Sequence, residues 1–310
     1  MLDRRNFIRA MGLAAAATVS LPLRAAEKPT VFKYQDSAAR RAIEALEKST
    51  GGRLGVALTR KNGEIDFAYR GDERFAMCST FKLPLAWAVL EAGQKGLLDL
   101  KAPIALTEND LVPYAPFVEE RLRDGGETNL HELIEAAVIT SDNAAANLAL
   151  EAIGGPEALT RYFRSQGDTI TRLDRIEPDL NENRIGDVRD TTSPAAFSQL
   201  IHEIMIKNPC CSSKTIVYEW MARSQTGLAR IRLGIPYGWP VGNKTGTAPD
   251  GLAYNDVAIF WPSFAGYDGD DPRILSIFMD RPTAPAAEVE RRIAEVAKIA
   301  AWIAARKYDT

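Results

Sequence analysis

Histidine is nearly missing from this chain of 310 residues, with only His131 and His202 present. Neither sits in an HxH or HExxH spacing, so a histidine-built zinc hydrolase has no ligand set here, and neither a metal nor another cofactor is expected. Cysteine is equally scarce: Cys78, Cys210 and Cys211 are too few to frame a chain of this length with disulfides, so the core must carry stability. An excess of one charge is lacking too. Lys+Arg minus Asp+Glu is 38 − 41 = −3, and without long basic or acidic blocks nothing favours a nucleic-acid partner. What is present is an ordinary globular balance, 46% hydrophobic and 25% charged residues. The length allows two domains or one large one.

The first 26 residues read as an address. Arg4-Arg5-Asn6-Phe7-Ile8-Arg9 is a twin-arginine run, followed by an Ala-rich apolar stretch from Ala10 to Leu23 and the small pair Ala25-Ala26. That stretch falls short of the roughly 20 apolar residues a spanning helix needs. The order of features predicts a Tat-type signal peptide over residues 1–26, the Tat export machinery as a partner, a periplasmic destination and no stable membrane association.

Beyond it, apolar residues at helical spacing from Asp36 to Lys48 predict a first helix closed by Gly51-Gly52. Leu54–Leu58 and Ile65–Tyr69 flank Lys61-Asn62-Gly63, a hairpin signature. From Cys78 to Met205 the pattern is mainly helical. Strand signals return at Val241, Ala253–Trp261 and Ile274–Met279, before a closing helix over Ala287–Arg306. This order predicts an α+β fold: an antiparallel sheet flanked by helices and built from both ends of the chain, with an all-α domain inserted. The expected boundaries are 27–75 and 215–310 for the sheet domain and 76–214 for the helical one.

Four short motifs can carry chemistry. Ser79-Thr80-Phe81-Lys82 opens a helix, and residues three apart share a face, so the Lys82 amine can serve the Ser79 hydroxyl as a base while free backbone N–H groups face the reacting atom. Alone, such a pairing arises by chance about once in a chain this long. Ser141-Asp142-Asn143 lies between two helices. It can be a plain helix cap, or a proton-relaying hydroxyl beside an amide that binds a carbonyl. Glu177 and Asn181 lie in a stretch, 172–190, whose charge density otherwise reads as a solvated loop. Together they can hold and deprotonate a water, with an Arg175–Asp190 ion pair tying the loop's ends. Lys244-Thr245-Gly246 precedes a strand, where it is either an edge with a solvated lysine or a carboxylate-binding strand.

In their order and spacing these four motifs resemble the class A serine β-lactamases, over about Asp36 to Arg306. Asn109-Asp110-Leu111-Val112-x-Tyr114 and Asp190-Thr191-Thr192 extend the likeness. The resemblance implies a five-stranded sheet and hydrolysis of the β-lactam amide of penicillins and cephalosporins, conferring resistance, by a monomer whose small-molecule substrate is the antibiotic. It implies that Ser79 attacks to form an acyl-enzyme, that the N–H groups of Ser79 and Thr247 form the oxyanion hole, and that Ser141 protonates the leaving nitrogen, helped by Lys82 and Lys244. Whether Lys82 or Glu177 takes the Ser79 proton stays open. Glu177, with Asn181, activates the deacylating water. Lys244, Thr245, Gly246 and Thr247 bind the substrate carboxylate, Arg230 supplies a second cation because Ala253 replaces an arginine, and Asn143 binds the side-chain amide.

Two departures accompany it. Leu106 is read at the site mouth, where members carry an aromatic residue. Ala248 stands where a disulfide partner of Cys78 occurs in some carbapenem-hydrolysing members. Rival readings are a D-Ala-D-Ala peptidase that penicillin traps, and a β-lactam sensor that stays acylated; Glu177 with Asn181 argues against both.

Overall fold

The computed structural model describes residues 37–208, 211–263 and 270–306. The signal-peptide reading and Cys210 lie outside the described residues. The first helix, α1 (Ser37–Thr50), stops where Gly51 turns to φ +69°. A hairpin of β1 (Arg53–Thr59) and β2 (Ile65–Tyr69) follows. Its turn is the Asn-Gly expected: the Asn62 side chain accepts from Glu64 N at 3.0 Å, and Gly63 has φ +84°.

The hairpin joins three strands from the far end of the chain, β7 (Val241–Thr247), β8 (Ala253–Phe260) and β9 (Arg273–Asp280). The sheet is five-stranded, antiparallel and ordered β2-β1-β9-β8-β7, so β1 and β9, far apart in sequence, lie at its middle. Both faces are covered, which is why β9 is buried throughout instead of alternating. Leu54, Val56, Leu275 and Ile277 face one layer with Ile43 of α1 and Val289, Ile293 and Val296 of the closing helix, α10 (Ala286–Ala305). On the other face Phe278 meets Phe75 and Phe197 in a second core that continues into the helical layer.

Helices occupy the middle of the chain: α2 (Lys82–Gln94), α3 (Pro116–Arg123), α4 (Leu130–Ile139), α5 (Asn143–Ala152), α6 (Gly155–Ser165), α7 (Pro194–Ile201) and α8 (Cys211–Ala222), with the short α9 (Ile231–Gly234) before β7. α2 is buried from Lys82 through Leu90, as expected of a helix apolar around its circumference. Pro84 lies in its first turn, where a missing N–H costs little. Two ladders of two residues per strand also occur here, β3 (Phe75–Ala76) with β6 (Thr191–Thr192), and β4 (Ile104–Ala105) with β5 (Glu127–Thr128). No helix among the described residues is long and apolar enough to cross a membrane.

Candidate active site

Ser79 sits in a one-turn 3-10 helix, Cys78–Phe81, that leads directly into α2. The turn is anchored from both sides. Met77 N donates to Asp190 O at 2.9 Å, and the Asn255 side chain on β8 donates to Ala76 O and Met77 O at 2.9 and 3.1 Å. Cys78 adopts φ +45°, a strained conformation for a side-chain-bearing residue, directly before the serine. Strand β7 comes so close that a Cβ on Gly246 would lie 2.5 Å from Met77 O and 3.0 Å from Thr80 N. Glycine at 246 therefore brings the Thr247 end of β7 against the serine turn.

The hydroxyl of Ser79 donates to Glu177 Oε1 at 3.1 Å. Lys82 Nζ lies 3.0 Å from that same oxygen and donates to Ser141 O at 2.8 Å and to Asn143 Oδ1 at 2.5 Å. The expected Ser79 to Lys82 proximity thus takes the form of a shared carboxylate oxygen. Lys82 and Glu177 have fully buried side chains. Burial pushes the Lys82 ammonium below its ordinary value, and the Glu177 charge opposes that.

Ser141 takes φ +62° between α4 and α5, and its Oγ accepts from Lys244 Nζ at 2.9 Å. Asp142 is the helix cap of the plainer reading. It accepts from Ala145 N at 2.7 Å and also from Phe117 N and Val118 N, locking α3 to α5. Asn143 Nδ2 donates to Pro113 O at 2.8 Å, which leaves its second N–H for a ligand. Lys244 is fully buried on β7; burial drives its ammonium well below the usual range, and the Lys82 charge adds to this. Thr245 Oγ1 pairs with Thr226 Oγ1 at 2.7 Å.

The stretch 172–190 is a loop built to hold a carboxylate. Arg175 Nε meets Asp190 Oδ2 at 2.6 Å, while Asp190 Oδ1 accepts from Asp174 N and Arg175 N. Inside this clasp, Glu177 precedes Pro178 through a cis peptide. Asn181 Nδ2 donates to Glu177 Oε2 at 2.5 Å, and Asn181 Oδ1 is buried without a protein partner.

Arg230 is buried and precisely held: Nε contacts Glu290 Oε1 at 3.1 Å, Nη1 donates to Asn255 O at 2.9 Å, and Nη2 donates to Thr247 Oγ1 at 2.9 Å. Thr247 itself is exposed. Ala253, Ala248 and the free, buried Cys78 share a small apolar cluster with Ala76.

Leu106, read at the site mouth, is 7% exposed and packs with the helical core, and its N–H donates to Gly126 O at 2.7 Å. The exposed aromatic next to the site is Tyr114, 58% accessible, with φ +64° and its carbonyl accepting from Asn143 N at 3.0 Å. Asn147 was also missed. Its side chain accepts from Glu177 N and donates to Glu177 O, both at 2.9 Å, from one turn beyond Asn143 on α5. That i, i+4 amide pair was the available signal.

The chain matches the model of the Beta-lactamase enzyme family over residues 38–303. It is 38% identical to Beta-lactamase L2 of Stenotrophomonas maltophilia, over 97% of this chain and 98% of that protein. It is 37% identical to Beta-lactamase Toho-1 of Escherichia coli, over 94% and 97% respectively. Among solved structures, it resembles a class A β-lactamase of the last common ancestor of Gram-negative bacteria (43% identity, TM-score 0.79, covering 84% of this chain and 97% of that one). A β-lactamase from Xanthomonas campestris superimposes with TM-score 0.80 at 37% identity, covering 87% of this chain and 98% of that one.

Proposed function

The chain belongs to the class A serine β-lactamases, and from that premise we propose how its own residues divide the work of opening a β-lactam ring. It hydrolyses the β-lactam amide bond through a serine acyl-enzyme and so confers antibiotic resistance. The observation that carries the assignment is the buried cluster in which Ser79 Oγ, Glu177 Oε1 and Lys82 Nζ meet at 3.1 and 3.0 Å.

Ser79 Oγ attacks the lactam carbonyl carbon and gives up its proton. The existing hydrogen bond to Glu177 favours that carboxylate as the acceptor, with Lys82 beside it to balance the charge. The carbonyl oxygen becomes an oxyanion, held by the N–H groups of Ser79 and Thr247, which the close approach of Gly246 brings together. As the C–N bond breaks, the nitrogen takes a proton from Ser141, whose hydroxyl is held by Lys244 at 2.9 Å and is replenished from Lys82, while Lys82 takes over the Ser79 proton from Glu177 across their 3.0 Å contact, so that Glu177 is a carboxylate again. In the second half, Glu177 removes a proton from a water that attacks the acyl carbon, and the proton returns to Ser79 Oγ. The unpartnered Asn181 Oδ1 is the acceptor that orients this water.

The substrate carboxylate binds at Lys244, Thr245 and Thr247, with Arg230 acting through its contact with the Thr247 hydroxyl. The free N–H of Asn143 receives the side-chain amide carbonyl, and Tyr114 stacks on the side chain. The Arg175–Asp190 pair positions Glu177. Penicillins and cephalosporins are the proposed substrates. The proposed lobes are 27–75 with 215–310 and 76–214, in a monomer exported to the periplasm by the Tat route; Arg4→Lys with Arg5→Lys should leave it in the cytoplasm. Steady-state hydrolysis of a chromogenic cephalosporin by the purified chain tests the assignment. Sustained turnover that Ser79→Ala abolishes is expected; a single-turnover burst would mark a trapped peptidase or sensor instead.

A further inference from the structure

The amide that reaches the serine turn from β8 is used by none of these steps. Asn255 stands opposite Gly246 of β7 and Phe278 of β9, so its side chain emerges on the face where a Cβ of Gly246 would meet Met77 and Thr80. It is 1% exposed, and Phe278 and Val257 beside it belong to the core shared with the helical layer. A polar group buried there is costly unless it is hydrogen-bonded. Both N–H groups of the amide go to the turn, donating to Ala76 O at 2.9 Å and to Met77 O at 3.1 Å, while Asn255 Oδ1 takes no protein donor. An apolar side chain would avoid burying that oxygen; what it could not do is hold the two carbonyls.

We propose that Asn255 is a positioning residue of the oxyanion hole: by holding the carbonyls of Ala76 and Met77 it fixes the direction of the Ser79 N–H. This rests on the reading of Ser79 as the nucleophile whose own N–H is one of the two oxyanion donors.

The conformation of Cys78 is why the turn needs such a hold. Its φ of +45° is strained for a residue with a side chain. Rotation about its N–Cα bond turns the Met77–Cys78 peptide against the Cys78–Ser79 peptide, which carries the Ser79 N–H. Whatever fixes Met77 O therefore fixes φ at Cys78, and with it the aim of that N–H. Within the turn, Met77 O accepts from Thr80 N at 3.2 Å and from Thr80 Oγ1 at 2.8 Å. Those donors move with the turn, so they close it without tying it to the rest of the site. From outside, Met77 N donates to Asp190 O at 2.9 Å on the loop side, and Asn255 supplies the hold on the sheet side. Thr247, the other oxyanion donor, ends β7, which pairs with β8 in unbroken register as far as Thr247 and Tyr254. Asn255 thus ties the first donor to the strand that carries the second, so both are set by one sheet. Its main-chain carbonyl also accepts from Arg230 Nη1 at 2.9 Å, which fastens Arg230 to the same point. Oxyanion donors act only when aimed at the place where charge develops, and a turn held from the loop side alone loses that aim.

The test pairs two measurements on the full chain and on Asn255→Leu, which keeps the bulk of the side chain and removes both donors. One is kcat/KM for a penicillin, counted per titrated active site. The other is the affinity for phenylboronic acid, whose tetrahedral adduct on Ser79 places an oxygen where the oxyanion forms. Removing an oxyanion donor outright costs roughly 10²–10³-fold in rate, so a donor that is present but misaimed should cost about tenfold or more, and the boronate affinity should fall by a like factor. An unchanged boronate affinity, whether or not the thermal midpoint falls, would mean a merely structural role and overturn the proposal. Should that variant fail to fold, Asn255→Ser is read by the same pair: a parallel loss of at least about threefold supports the proposal, and an unchanged affinity overturns it. A wild-type chain that neither hydrolyses the penicillin nor forms the boronate adduct on Ser79 would refute the reading of the site itself, and the proposal with it.

Discussion

Replacing Asp190 with Asn strikes the clasp of the Glu177 loop without touching the chemistry. The native carboxylate takes three bonds, from Arg175 Nε at 2.6 Å, Asp174 N at 2.7 Å and Arg175 N at 2.9 Å. An amide of the same size keeps one oxygen for the backbone donors but turns an N–H toward the guanidinium. Breaking a buried ion pair costs about 3–5 kcal/mol when the survivor is left alone. Arg175 is not left alone, because Glu182, 36% exposed, stays 2.7 Å away, so we expect a loss nearer 2–3 kcal/mol. At roughly 2–4 °C per kcal/mol for a chain of this size, the thermal midpoint should fall by about 4–12 °C. Because Glu177 lies two residues from Arg175, the acyl-enzyme should also hydrolyse at least tenfold more slowly, whereas acylation depends less on the loop. Circular-dichroism melting and stopped-flow turnover of a chromogenic cephalosporin read the two effects. A variant with wild-type melting and wild-type turnover would refute the reasoning that the ion pair holds the base in place.

Other perturbations reach different parts of the account. Gly246→Ala puts a methyl 2.5 Å from Met77 O, so β7 must retreat from the serine turn; an acylation rate lowered about 10²–10³-fold is expected for a displaced oxyanion donor, and a near-native rate would contradict it. Tyr114→Ala should raise KM for substrates with aromatic side chains by roughly 2–10-fold at little change in kcat, the scale of one aromatic contact, and an unchanged KM would remove Tyr114 from the site. Stability should fall in acid partly through Glu47, which accepts from Leu54 N, Tyr69 Oη and Arg70 Nε. Burial pushes its carboxyl up, but the bond from Arg70 and those from Leu54 and Tyr69 outweigh that and hold it below its ordinary 4.5. A depressed folded-state value gives stability that is present above pH 4.5 and lost as pH falls through the lower folded value. Urea unfolding of Glu47→Gln should therefore show a flatter pH dependence below 4.5 than the wild type; parallel curves would exclude this carboxylate as a contributor.

Much of this molecule could be read from residues alone, for identifiable reasons. The closing helix, expected over Ala287–Arg306, spans Ala286–Ala305, because Val289, Ile293 and Val296 recur at helical spacing and are buried. The Asn62-Gly63 turn pinned the first hairpin. The pairing of β3 with β6 could not be read, since two residues carry no period, yet that ladder sets Met77 beside Asp190 and so the serine turn beside its loop. Asn147 and Glu290 act on backbone or side chains remote in sequence, so their roles exist only once α5 and α10 are folded against the rest of the chain.

The central claim is that Glu177 turns a serine that could merely be trapped into one that turns over. Intact-protein mass spectrometry of Glu177→Gln, mixed with a penicillin and sampled over minutes, tests it most directly. The account predicts that the variant accumulates to near completion as a covalent adduct of one substrate mass on Ser79, while the wild type stays free and consumes the antibiotic. A variant that clears the substrate without a persistent adduct would contradict it.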